Sequence, residues 1–394
     1  MVVYPSPFLA ADASFYLDIA RGNIAQVVQP FASRQLGALA VTAITHLLHC
    51  SIERGFLIEG IGSLIVTAAA VYFLLIQTEA PRWMVLAVAL VPFWGTSLQD
   101  LALPDLWYSA LLSIVLLFLA GEQLLLASLM MFPLMLSRES TSLTLICFLI
   151  AAWSALRWRD RIVAVVSAVA GMFLVAHLAA HSQSNAEHLP QVLYMLAKVP
   201  WNFIHNILGL MPWSNVSTGL CTVPAWSMPF HAGAVRSIGV CGFSVESWEF
   251  LARAILANFG LLPVLLLFLW RRRSRTAGRS VLFKFSLLYG SLSLVLAPLL
   301  GVWFDHLVGY AWPLFLVALP ILFNEFADAA TTARRAGASV AFVCIHLAAI
   351  YSSYHWIWWP QIILEAVFWI IGYMLLRVWF DGPPRLTQQP QIAS

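Results

Sequence analysis

The sequence predicts an all-α, polytopic membrane protein. Three observations carry that prediction: 61% of the 394 residues are hydrophobic, only 10% are charged, and apolar runs of membrane-crossing length recur along the chain. The mean hydropathy is +0.85, far more apolar surface than a soluble core needs. The net charge of +3 says little about partners, because in such proteins Lys and Arg set orientation before they set binding. Nucleic acid is not an expected partner. The five cysteines form no CxxC or Cys/His cluster, which argues against a zinc site and leaves at most a disulfide.

The first element is the stretch ADASFYLDIARGNIAQVVQPFASR, which gathers Asp12, Asp18, Arg21 and Arg34 ahead of the apolar runs. Asp12, Tyr16, Leu17, Ile19 and Ala20 are spaced as one face of a short amphipathic helix. Pro30 ends it, and a second amphipathic run, RQLGALAVTAITHLLH, opens at Arg34. Two such helices can lie along a membrane surface, where aqueous groups meet lipid. The residues before Asp12 are too few and too interrupted by proline to span a bilayer, so the expectation is a start outside the membrane or a chain lacking a leading helix.

Apolar segments follow at 58–77, 83–97, 105–120, 123–137, 141–156 and 161–180, and again at 249–270, 281–300, 303–323, 338–354 and 359–377, about eleven spans when short ones are admitted. Five regions result: outer juxtamembrane helices at 1–57, a first bundle at 58–180, a large outer loop at 181–248, a second bundle at 249–378 and a cytoplasmic tail at 379–394. With the N-terminal stretch outside, 14 of the 21 basic residues fall on the cytoplasmic side, and RRRSRTAGR at 271–279 is the strongest single vote. The interval 181–248 then lies outside. Its Trp201, Trp213, Trp226 and Trp248 suit a segment folding back onto the membrane interface as short helices. Cys221 and Cys241 lie in that compartment, where oxidation is permitted, and a disulfide between them is expected. No pair of matching Gly/Pro-broken helices marks an inverted-repeat transporter.

On this topology the polar outer residues converge at one face. Asp12 and Arg34 come from the first segment, Asp100 and Asp105 from SLQDLALPDLWY, Arg138 and Glu139 from LSREST, and Asp305 and His306 from GVWFDHLVGY. Ionisable groups at a membrane edge are costly unless they pair or work, which makes each a functional candidate. Asp105 after Pro104 also reads as an ordinary helix start, and Arg138 with Glu139 as a solvated turn. Asp12 has no comparable capping role and is the strongest candidate. Asp18 faces another side of its helix and reads as solvated or paired with Arg21. No histidine spacing specifies a metal.

The motifs DASFYLDIA and QPFASRQLGAL, an Asp before a Tyr-containing helix and then Pro and Arg opening another, resemble the first outer loop of the GT-C class of membrane glycosyltransferases. LPDLWYSALLSIVLLF and SREST resemble later landmarks of bacterial members, among them the protein O-mannosyltransferase and lipid A aminoarabinose transferase relatives. The resemblance covers the first 160 residues and fades afterwards. It implies an enzyme of the bacterial inner membrane that takes a sugar from a polyprenyl-phosphate carrier. The sugar would pass, on the periplasmic side, to a lipid, glycan or protein acceptor. The position matching the family's base is Asp12, whereas the helix that normally precedes that loop has no counterpart here.

The residues suit that chemistry. A carboxylate must take the acceptor's proton, a step worth about 10²- to 10⁴-fold, and Asp12 is placed for it. Arg34 and Arg138, with Arg236 behind them, are the choices for the departing phosphate. Asp105 would orient the acceptor or, with Asp12, hold a divalent metal. Tyr16, Glu139, Asp305 and His306 would support them. Two competing classes remain, an O-antigen polymerase or ligase and a transporter or flippase. The first relies on loop arginines, whereas 181–248 carries only Lys198 and Arg236 as basic residues. The second expects mid-span acids. A structural membrane subunit is the third alternative.

Overall fold

The computed structural model describes residues 12–78, 80, 82–91, 93–94, 101–185, 187–216, 221–270, 280–301, 305–324, 333–355 and 360–380. Asp100, the basic run at 271–279, the residues before Asp12 and the tail from Asp381 lie outside the described residues. Of the described residues 72% are helical and 8% lie in strands, so helices dominate and one small sheet departs from the all-α expectation.

The first segment folds into two short helices as expected, but the first ends at Ala20, just before Gly22 with its positive φ, and not at Pro30, and the second begins at Leu36. Helix Ala13–Ala20 and two short turns, Ile24–Gln26 and Phe31–Ser33, lead into helix Leu36–Leu48. Ala13, Tyr16, Ile19 and Ala20 turn inward with Val27, Val41, Phe56 and Ala179 to form a small core separate from the main one. The segment is pinned from a distance: Gln29 N donates to Gln183 O at 3.0 Å, Gln183 N to Val27 O at 2.9 Å and Gln29 Nε2 to Ser182 Oγ at 2.8 Å. Arg21 reaches Glu53 at 3.7 Å, which gives it a partner other than Asp18.

Among the described residues four helices are long and apolar enough to cross a membrane: Ile52–Gln77, Trp158–Leu178, Val281–Leu300 and His306–Phe323. A bent pair, Glu246–Phe259 and Leu262–Trp270, makes a fifth if counted as one. Leu36–Leu48, Asp105–Ala120, Leu124–Ser137, Thr141–Ala152, Ser339–Ala349 and Ala366–Arg377 are shorter apolar helices or helical stretches. Burial separates rim from centre. His306–Phe323 is 83% buried in its apolar window, while Trp158–Leu178 is only 17% buried and exposes Val166, Met172 and Phe173. An apolar helix whose apolar side chains face outward suits lipid.

The run 249–270, expected as one span, turns through 89° between Phe259 and Leu262. Gly260 adopts φ +54 and ψ −125, a backbone conformation that glycine takes readily and residues with a Cβ rarely do, and Pro263 sits in the first turn of the next helix. His346 Nδ1 accepts the Leu261 N–H at 3.0 Å, so a backbone donor freed by the break is satisfied inside the core. Elsewhere two helices touch almost backbone to backbone. A Cβ on Gly290 would lie 2.7 Å from Leu314 N, which is why no side chain stands there.

The interval 181–248 is not made of helices alone. Helix Gln191–Asn202, continued by one wide turn at Phe203–Ile207, leads into a three-stranded antiparallel sheet. Strands β1 (Leu210–Ser214), β2 (Trp226–Ala232) and β3 (Val235–Phe243) lie in the order β1-β3-β2. The β2–β3 hairpin pairs Ala232 with Val235, and Gly233 supplies the positive φ its two-residue turn needs. The Cys221–Cys241 disulfide ties the approach to β2 onto β3. Val235, Ile238 and Val240 of β3 are the β-branched residues that suit a strand, and β3 is the central strand of the sheet.

Candidate functional site

One large cavity opens where several elements end. Helix Met131–Ser137 stops before it, Thr141–Ala152 starts after it, Val281–Leu300 ends on it and His306 begins the helix beyond it. Its volume is about 870 Å³, within the range of small-molecule sites. The polar wall carries Asp12, Arg34, Arg138, Glu139, Lys198 and His306. Tyr289, Ser293, Leu296 and Leu300 line it along one helix, a run of about 16 Å at the helical rise per residue. Ser214 of β1, Phe230 and Ala232 of β2, and Val235 and Ile238 of β3 close another side, so the sheet is a wall of the cavity.

Asp12 occupies the N-cap of helix Ala13–Ala20 yet makes no side-chain cap hydrogen bond. Its carboxylate faces the cavity instead. Burial raises its pKa above the ordinary aspartate range, against the pull of Arg34, His306 and Lys198.

Arg34 follows the turn Phe31–Ser33 and is only 13% exposed at the side chain. Its Nε donates to Glu139 Oε2 at 2.9 Å, its Nη2 donates to Oε1 of the same carboxylate, and its Nη1 donates to Tyr16 Oη at 3.2 Å. This is a bidentate fork, the strong form of an arginine–carboxylate pair. Burial would raise the Glu139 carboxyl, but Arg34's charge and hydrogen bonds, with Arg138 behind them, bring it down to about 2. The same burial works against the charge on Arg34, and Glu139 and Tyr16 outweigh it, holding Arg34 above its ordinary value. Tyr16 itself stands behind Arg34, outside the cavity wall.

A second pair lies beneath. Arg138 donates to Asp105 and to Tyr310 Oη, and Tyr310 Oη donates to the same carboxylate oxygen, Asp105 Oδ1. The guanidinium also stacks over the Tyr310 ring at 4.6 Å. Arg138 is 5% exposed at its side chain and Asp105 15%, and Asp105 is absent from the cavity wall. Below them Tyr108 Oη meets Thr144 Oγ1 at 2.5 Å and accepts from Tyr289 Oη at 3.4 Å.

The expected residues therefore split. Asp12, Arg34, Arg138, Glu139 and His306 come together at the cavity, from points as far apart as Asp12 and His306. Asp105 joins them only through Arg138, and Tyr16 only through Arg34. The side chain of Asp305 lies outside the described residues. Arg236 projects from β3 and donates to Gly233 O at 3.1 Å, away from the cavity wall. The pair Asp12 and Asp105 does not fit a divalent metal, because Asp105 is engaged by Arg138 and Tyr310 and does not face the cavity. Among the described residues no group of three His, Cys, Asp or Glu side chains converges as metal ligands.

Two charged residues did not stand out in the sequence. Lys198 reaches the cavity from helix Gln191–Asn202, its ammonium 4.6 Å from the Tyr194 ring centroid, at the i, i+4 spacing that could have flagged it. Burial lowers its pKa, with Arg34 next and Glu139 opposing. That helix is held in place by Asn202 and Asn206, whose Nδ2 groups donate to Leu299 O at 3.0 Å and Pro298 O at 2.6 Å. Glu59, 6% exposed, stands eight residues into Ile52–Gln77 and accepts from Ser63 Oγ at 2.9 Å. Its signal was an acid inside an apolar run.

No protein-family model matches the sequence, and neither a curated protein nor a solved structure shows significant similarity to it.

Proposed function

We propose that this chain is a polytopic membrane glycosyltransferase of GT-C type, with about eleven membrane crossings, that moves a sugar from a polyprenyl-phosphate donor to a lipid, glycan or protein acceptor at the extracytoplasmic face of a bacterial inner membrane. The observation that carries it is Asp12, a carboxylate with no capping task, facing an elongated cavity whose wall also holds two arginines and a lysine. Asp12 takes the proton of the acceptor hydroxyl as the bond to the sugar forms, and the polyprenyl phosphate leaves as an anion toward the cationic wall. Arg34 and Arg138 give that wall fixed positive charge, held by Glu139 and Asp105. The apolar run from Tyr289 to Leu300 suits the carrier's isoprenoid chain, and Trp201 and Phe230 offer flat faces for a sugar.

The test is transfer from a radiolabelled polyprenyl-phosphate sugar by the purified protein in detergent. Asp12→Asn should lose about 10²- to 10⁴-fold in rate. Full transfer by that variant rejects Asp12 as the base.

A transporter or flippase is the second reading, and Glu59 favours it, since a buried acid within a candidate span is what a pathway uses. Glu59→Gln separates the two. It should leave transfer in detergent intact, and loss of substrate movement across proteoliposomes without loss of transfer would favour transport.

A further inference from the structure

We propose that the Lys198 ammonium, seated on the Tyr194 ring at the cavity wall, is the direct contact for the phosphate of a lipid-linked phosphate, while Arg34 and Arg138 build the wall around it. The inference rests on the transferase reading for the identity of the ligand, and on the charges of the cavity for the contact itself.

The charges on the wall are not equally available. Arg34 is forked onto Glu139 and bonded to Tyr16, and Arg138 is bonded to Asp105 and Tyr310. Each of these cations is matched by a carboxylate, and removing that match to reach a ligand would strand a buried charge. Lys198 differs. Among the described residues it makes no ion pair, and its ammonium lies over the face of Tyr194, 4.6 Å from the ring centroid. An ammonium against a ring keeps its three N–H donors for another partner.

Position agrees with availability. Asp12, Glu187, His306 and the two arginines face the same cavity, and among the described Lys and Arg residues on its wall Lys198 is the one with no carboxylate within 4 Å. The helix bearing it is fixed by Asn202 and Asn206 to the end of Val281–Leu300, the same helix whose side chains line the apolar run. Head group and hydrocarbon are thereby read by two elements locked to each other. Lysine binds phosphate as a point charge, which suits a group that must leave with its carrier.

The experiment measures binding of farnesyl phosphate, farnesol and inorganic phosphate to the full chain in detergent, by titration calorimetry. Farnesyl phosphate should bind, farnesol at least about tenfold more weakly. Lys198→Gln should weaken farnesyl phosphate about tenfold or more while leaving farnesol unchanged, and Lys198→Arg should retain most of the affinity. Equal, Lys198-dependent binding of inorganic phosphate supports the contact and assigns it to free phosphate. Wild-type affinity in Lys198→Gln overturns the proposal and leaves the transferase reading standing. Absence of transfer by the wild type together with Lys198-dependent binding sinks the transferase reading and leaves the contact. If Lys198→Gln unfolds, Tyr194→Leu, which removes the ring seat, must weaken farnesyl phosphate and not farnesol, and unchanged binding in that variant overturns the proposal.

Discussion

Arg34 and Glu139, 105 residues apart in the chain, face each other through two parallel hydrogen bonds that join the first segment to the turn between two apolar helices. The pair does for tertiary structure what no apolar contact between those segments could, because it is directional and bidentate. Both members line the cavity, so the pair is part of its wall.

Removing one side of that pair should therefore cost stability. Glu139→Gln leaves the Arg34 guanidinium, 13% exposed at its side chain, without its counter-charge. The expected loss is about 1.5–3 kcal/mol, the worth of hydrogen bonds to charged groups. Thermal unfolding in detergent reads it, and a double-mutant cycle with Arg34→Gln should return a coupling of the same order. Simple additivity would deny that the two act as a pair.

The pH dependence of that contribution has a definite sign. The Glu139 carboxyl is held at about 2 in the folded chain, below its ordinary value of 4.5. A lowered carboxylate pKa stabilises fully above the ordinary value and loses its effect as pH falls toward the folded one. Wild type should lose more melting temperature than Glu139→Gln on acidification from about pH 5 toward 2. Parallel curves for the two proteins would contradict it.

Asp12 moves the other way. Burial raises its carboxyl, so its charged form is disfavoured by the fold and appears at higher pH than for a free aspartate. If it is the base, the transfer rate climbs with pH through a limb lying above the ordinary value of 3.8. Asp12→Glu should keep a limb and lose rate, while Asp12→Asn should lose both. A rate that is flat across the acidic range would exclude Asp12 as the titrating group.

Gly290 tests how closely the central helices approach. Its missing side chain leaves Leu314 N 2.7 Å and Leu314 Cα 3.0 Å from where a Cβ would stand, and both atoms are backbone. Neither can rotate away. Gly290→Ala should cost about 1–3 kcal/mol as an overpacked site, whereas Gly62→Ala, with open space around it, should change stability little. Unfolding midpoints of the two variants make the comparison, and equal midpoints would refute the close approach.

Much of the fold was readable from local pattern. The expected runs 105–120 and 281–300 are the helices Asp105–Ala120 and Val281–Leu300, because an apolar run bounded by Pro104 at one end or Gly301 at the other says where it starts or stops. The first segment's helix and the Cys221–Cys241 disulfide were legible for similar local reasons, whereas the helix stops at Ala20 and not at Pro30, where it was expected to end. The break at Gly260 was not, although Gly and Pro three residues apart carried the signal, since unbroken hydropathy masked it. The sheet at 210–243 escaped because β1 and β3 pair across a separation that no short window spans.

What the residues alone determined is the class: a largely helical, strongly apolar chain, with most of its scarce charges near the ends of apolar runs and Glu59 inside one. Only packing decided which charge meets which. Periodicity and hydropathy are properties of neighbours in sequence, whereas Arg34 finds Glu139, Arg138 finds Asp105 and Lys198 is left on Tyr194 through contacts that exist after the helices have docked. A buried charge must take whatever partner the fold brings within reach, and that choice is made in three dimensions.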